Sequence, residues 1–184
     1  MFPLALLNTS APDVDPALTL ALLHFDTDYT DSSQTAAVWS DNGPGQSISA
    51  TSKFGAGSLA TLGTGGIVTQ NATVRTPLGS DNWTIEGWFN KTAIGNDING
   101  LFMFMGGGGQ PITLYLNGVA GTTTINSGAL SLYPSDILTC IISLARKVEN
   151  STTTSLDGLH DEFRYRREAV YTTNFTPPTS AFTY

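Results

Sequence analysis

The chain has 184 residues, enough for a single domain with its own core, and 40% of them are apolar, a globular rather than a disordered composition. Only 12% are charged, against a typical share of roughly 25%, so solubility rests on Thr, Ser, Asn and 19 Gly, residues that suit strands and turns better than helices. The net charge of −7 and the lack of a basic stripe argue against a nucleic-acid backbone as partner.

Residues 1–16 are expected to be an extended arm. Pro3, Pro12 and Pro16, with Asp13 and Asp15, are expected to prevent a regular element, and nothing in the stretch repeats at helical spacing. Such an arm is expected to pack on a neighbouring chain. The body, residues 17–184, opens with the apolar strand Leu18–Asp26, followed by a turn carrying Asp26, Asp28 and Asp31. Ala36–Trp39 and Gln46–Ser49 read as short strands around the Gly43-Pro44-Gly45 turn. Ser52–Leu59 reads as a loop entering a strand, with glycines that let backbone approach backbone. Ile67 and Val68 suggest a further short strand. Asn82–Phe89, aromatic and β-branched, reads as a central strand, and Leu101–Met105 as the next, ending in Gly106–Gly109. Ile112–Leu116 alternates into Asn117-Gly118, a strong hairpin signal, with Thr122–Ile125 as the return strand. Ile137–Ala145 has the length of a buried strand or helix, and its β-branched content favours strand.

Leu159, Asp161, Phe163 and Tyr165 alternate with His160, Glu162, Arg164 and Arg166, the period-2 pattern of a closing strand with one face buried. Arg164, Arg166 and Arg167, flanked by Glu162 and Glu168, are expected at its solvated, salt-bridged end. Tyr171, Phe175, Pro177 and Pro178 cannot continue a central strand and are expected as a tail laid back over the body. Many short strands with turns every 8–12 residues indicate an all-β sandwich or barrel.

Cys140 is the single cysteine, so no disulfide forms within the chain, and a buried thiol acting as a small hydrophobe is expected there. Six Asn-x-Ser/Thr sequons occur, as chance allows in a chain rich in Asn and Thr. Met1–Leu7 has no basic residue and too short an apolar run for a signal peptide, so glycosylation is not expected. No run approaches the ~20 apolar residues of a membrane helix.

Four segments in order carry a resemblance: Leu22-Leu-His-Phe-Asp26, Ser52-Lys-Phe-Gly-Ala-Gly-Ser-Leu59, Asp81-Asn-Trp-Thr-Ile-Glu-Gly-Trp88, and Asp161-Glu-Phe-Arg with Tyr171-Thr-Thr-Asn-Phe-Thr-Pro-Pro178. Together they resemble the concanavalin A-like lectin/glucanase superfamily, in the laminin-G-like form common in bacteriophage virion and tail proteins. The resemblance spans about residues 18–184 and implies a two-sheet antiparallel jelly roll. There are departures. The Trp-His strand usual after the central hairpin is missing from Asp136–Arg146, only Val148–Ser155 separates that stretch from the closing strand, and the arm lies outside the pattern.

Glucanases of this fold need closely spaced carboxylates on one strand, one as nucleophile and one as general acid. Asp81 and Glu86 lie five apart and Asp161 and Glu162 are adjacent, odd offsets that place each pair on opposite faces of a regular strand, so no catalytic residue is assigned. Asp26, Asp28 and Asp31, with Asp161 brought near by sheet pairing, are the candidate oxygens for a structural calcium. Strand-capping turn residues are the plainer reading, and no cofactor is assigned. His24 and His160 sit singly in strands and are expected as satisfied surface or core residues. Gly106–Gly109 lacks the Lys and Ser/Thr of a phosphate loop. Candidate sugar contacts are Trp39, Tyr115, Asn117 and Tyr133, while Trp83 and Trp88, five apart, face opposite ways.

The expectation is a non-enzymatic virion structural protein, a capsid decoration or tail-associated subunit. It would be made in the host cytoplasm and contact other virion proteins, or copies of itself, through residues 1–16. The alternative is a carbohydrate-binding adhesin module that recognises a host surface glycan.

Overall fold

The computed structural model describes residues 2–5, 15–62, 65–75, 82–91, 102–103, 113–121, 142–144 and 157–184. Twelve strands are found among them: β1 (Phe2–Ala5), β2 (Thr19–Leu23), β3 (Trp39–Asp41), β4 (Gln46–Ser49), β5 (Ser58–Thr61), β6 (Ile67–Thr69), β7 (Thr84–Lys91), β8 (Phe102–Met103), β9 (Tyr115–Leu116), β10 (Val119–Ala120), β11 (Ile142–Leu144) and β12 (Gly158–Arg166). A 3-10 turn at Pro16–Leu18 and one helical turn, α1 (Ala72–Arg75), complete the regular structure. Among the described residues no helix is long and apolar enough to cross a membrane.

The expected all-β class is what the chain adopts. The larger sheet runs β10-β9-β1-β7-β12-β5-β4, with β2 also paired to β12, and the smaller runs β3-β6-β11-β8. Every pairing is antiparallel. One core cluster draws on both sheets: Leu20, Ala21, Leu23, Leu59, Ile85, Phe163 and Tyr165 from the larger, Trp39 and Ile67 from the smaller. Phe163 meets Trp39 edge to face, with ring centroids 5.9 Å apart. Val74 of α1 joins the cluster, and the turn of helix is started by Asn71, whose Oδ1 accepts from the amides of Thr73 and Val74.

Two expectations about the chain's organisation change. The arm does contain a regular element, because β1 lies inside the larger sheet, with Phe2–Ala5 opposite Phe89–Glu86 of β7 and Leu4–Ala5 opposite Leu116–Tyr115 of β9. Pro3 is tolerated there because β9 reaches only Leu4 and Ala5, so one side of Pro3 has no ladder to complete. The Asn117-Gly118 hairpin forms with both residues at positive φ, 54° and 76°, as its turn chemistry demands, and the described part of its return strand is Val119–Ala120. The Thr122–Ile125 expectation lies outside the described residues. The other change is at β12, which does not close an edge. It runs through the middle of the larger sheet, with β7 along one side and β5 and β2 end to end along the other.

The tail crosses this sheet as expected. Phe175 donates its amide to the Gly118 carbonyl (2.8 Å) and stacks on Tyr171 with centroids 3.7 Å apart. Asn174 Oδ1 accepts from the amide of Ala120. The path requires Gly118, since a Cβ there would meet the Phe175 carbonyl oxygen at 1.8 Å. The glycine loop before β5 also approaches backbone closely. A Cβ on Gly57 would lie 2.5 Å from the Asp26 carbonyl oxygen and 2.7 Å from that of Phe25.

Candidate functional site

The polar residues of interest collect on the face of the larger sheet opposite the main core, and a bulge in β12 puts them there. Asp161 stands opposite Trp88 and Arg164 opposite Glu86, so two residues, Glu162 and Phe163, face the single residue Gly87. The extra residue is Glu162, at φ 54°, in the left-handed region. Regular alternation would put Asp161 and Glu162 on opposite faces. The bulge overturns that expectation, and Asp161, Glu162 and Arg164 all project to the side that the tail covers.

Each of these groups is engaged by the chain itself. Glu162 accepts from His24 Nδ1 at 3.0 Å and from the amide of Phe182 at 2.7 Å. Arg164 grips one oxygen of Glu86, with Nε at 2.7 Å and Nη2 at 2.6 Å, while the other oxygen accepts from the Tyr171 hydroxyl at 3.1 Å. Arg164 Nη1 donates to the Thr183 carbonyl at 2.7 Å, and its guanidinium lies 4.4 Å from the Phe182 ring centroid. Phe182 packs with Leu22, Trp88 and Phe54 in a second, smaller apolar cluster. Phe54 meets Trp88 edge to face at 5.4 Å, and Lys53 Nζ sits 4.7 Å from the Trp88 ring. Asp161 Oδ2 accepts from the amides of Lys53 and Phe54, at 2.6 and 3.0 Å, while its Oδ1 is buried without a partner.

The expected solvated end of the closing strand is therefore buried. Arg164 keeps 8% of its surface exposed and Arg166 only 1%. Arg166 pairs with Glu168, and the amide of Arg167 donates to the Leu18 carbonyl. Burial of both faces follows from the central place of β12 and from the tail above it. Period 2 alone signals two faces, not which of them meets water.

The Asp turn is built as a set of separate caps. Asp31 accepts from the amides of Leu22, Ser33 and Ala37, each at 2.9 Å, Asp28 from that of Thr30, and Asp26 from that of Ala56. Among the described residues no three His, Cys, Asp or Glu side chains converge as a metal site. The sugar-contact candidates separate in the same way. Trp39 and Tyr115 are buried, as is Trp88, and Trp83 packs against the main core. Asn117 is exposed at its turn. Tyr133, Asp81, Cys140 and Gly106–Gly109 lie outside the described residues. The sequence signal missed altogether was the tail's polar grip, because His24, Glu162 and Phe182 are brought together only by folding.

The cluster couples to pH. Burial, the largest influence, pushes the Asp161 carboxyl up to about 6 from 3.8, against the amides of Phe54 and Lys53. The hydrogen bond to Glu162 raises His24 above 6.5, against desolvation. Both groups hold a proton more tightly folded than unfolded. Asp161's favourable contribution is complete below 3.8 and lost as pH rises to about 6, and that of His24 is complete below 6.5 and lost as pH rises through its raised value. His160 has the opposite sign: burial lowers it to about 4, so its contribution stands above 6.5 and is lost as pH falls toward 4. Asp161→Asn isolates one member. Relative to the parent, the variant is expected to gain on the order of 1–3 kcal/mol between pH 4 and pH 8. Denaturant midpoints at the two pH values measure this, and a difference that stays constant would remove Asp161 from the account.

Comparison with family models, with curated proteins and with solved structures found no match for this chain.

Proposed function

We propose that this chain is a non-enzymatic structural protein of a bacteriophage virion, a capsid decoration or tail-associated subunit, built on a lectin-like two-sheet jelly roll. The observation that carries the non-enzymatic, structural part is the use made of the acidic face. Glu86 and Glu162 are saturated by Arg164, Tyr171, His24 and the Phe182 amide, and what they hold is the chain's own tail. A hydrolase of this architecture needs two carboxylates, one to attack and one to donate a proton, and of the three on this face only Asp161 keeps an unpartnered oxygen, itself buried. The jelly-roll reading draws on the core cluster shared by the two antiparallel sheets, and the virion reading on the four ordered sequence motifs alone. Its partners are other virion proteins and further copies of the chain, through residues 1–16.

Proteomic analysis of purified particles of a phage that encodes this chain tests the proposal. Many copies per particle are expected. A chain abundant in the infected lysate and missing from the particle would overturn it. The adhesin alternative has less support, because Trp39 and Tyr115 are buried and Asn117 alone of the described candidates is exposed. Saturable retention on a glycan array would restore it.

A further inference from the structure

The place of β1 in the larger sheet points to how copies of this chain join. β1 is inserted between β7 and β9, strands remote from it in sequence, and its covalent link to the rest of the described sheet is residues 6–14. Among the described residues, the β9–β10 hairpin joins the remaining strands of the sheet through β1. Without β1, the described edge of β7 at Glu86–Phe89 and that of β9 at Tyr115–Leu116 would face each other across an unfilled slot. Unpaired backbone of that kind recruits another strand.

Among the described residues the pairing that holds β1 in its own slot is short. The strand pairs over four residues with β7 and over two with β9, and Pro3 has no N–H to offer either neighbour. Strands held by short pairings open locally at a lower free energy than the whole fold unfolds. The nine residues between β1 and Asp15 span at most about 30 Å, which bounds the distance an exchanged strand crosses. A second copy carries the same Phe-Pro-Leu-Ala strand, and its register, antiparallel to both walls, satisfies the slot equally well.

We propose that the slot between β7 and β9 accepts Phe2–Ala5 from a second copy of this chain, so that copies assemble by exchange of β1. This deepens the assembly reading above and rests on it for the presence of oligomers, while the exchange itself is read separately. Leu4 lies opposite Gly87 in the pairing, so a disulfide between L4C on one molecule and G87C on another forms only when the strand has crossed. The two single-thiol variants, each in full-length chain with Cys140→Ser and one of them labelled with heavy nitrogen, are mixed over a concentration series and oxidised. Peptides carrying both introduced thiols are then sought by mass spectrometry.

The linked peptide is expected to increase with concentration and to exceed the yield from L4C mixed with a thiol at exposed Ser47. The pair F2C and F89C repeats the test should G87C fail to fold. Yields no higher than the control in both pairs would overturn the exchange. Light scattering on the unaltered chain separates the two ideas. Oligomers with no strand crossing leave assembly standing and sink the exchange, whereas a monomer at every concentration sinks both.

Discussion

Replacing Glu86 with alanine is expected to lower the unfolding free energy by about 3–5 kcal/mol, with a matching fall in the denaturant midpoint. Glu86 is fully buried, and its two oxygens take the Arg164 guanidinium on one side and the Tyr171 hydroxyl on the other. Without it Arg164 keeps a buried charge whose remaining partners are the Thr183 carbonyl and the face of the Phe182 ring. Desolvation of that charge, rather than the lost attraction, supplies most of the cost. A double replacement, Glu86→Leu with Arg164→Met, removes both charges. It is expected to recover much of the loss, though not all, because the Thr183 carbonyl and the Tyr171 hydroxyl still lose their partners. Chemical denaturation of the two single variants and the double variant closes the cycle. If E86A costs less than about 1 kcal/mol, the clasp is a solvated surface pair and the buried assignment fails.

Phe163→Ala is expected to cost about 3–5 kcal/mol by a different route, through the cavity it leaves and not through charge. The ring is buried between the sheets, packed edge to face on Trp39. Phe163 also follows the bulge residue Glu162, so the backbone that aims it at the core is the same backbone that turns Glu162 toward the tail. Collapse of the site is limited by these fixed neighbours, which places the cost at the upper end of the range. Leu116→Ala serves as the comparison. Leu116 is 49% exposed on β9, and its replacement is expected to change stability by no more than about 0.5 kcal/mol. Thermal or urea unfolding of the two variants side by side reads the difference, and a Phe163→Ala protein as stable as the Leu116→Ala protein would show that the sheets do not share this core.

The sequence by itself determined the all-β class, the positions of most described strands and the turns between them. These are decided by local chemistry: period-2 alternation, β-branched and aromatic residues, and glycines where φ must be positive, as at Asn117-Gly118. Tyr171, Phe175 and the prolines after them marked the tail for a similar reason, since they could not be strand.

Only the tertiary structure decided which faces are buried and which distant groups meet. Alternation gave Asp161 and Glu162 opposite directions, and one extra residue in β12, opposite Gly87, gave them the same one. A bulge is a property of two strands in register, so a single strand's pattern does not contain it. Pro3 and the acidic residues after it read as an irregular arm, yet Phe2–Ala5 became an inner strand because β7 and β9 offered complementary edges on both sides. The charges of Arg164 and Arg166 pointed to solvent by composition. Their burial depended on Glu86, Glu168 and a tail that returns across the sheet, partners up to 78 residues away in the chain. Local residues chose the strands, and pairing between remote ones chose what each strand would bury.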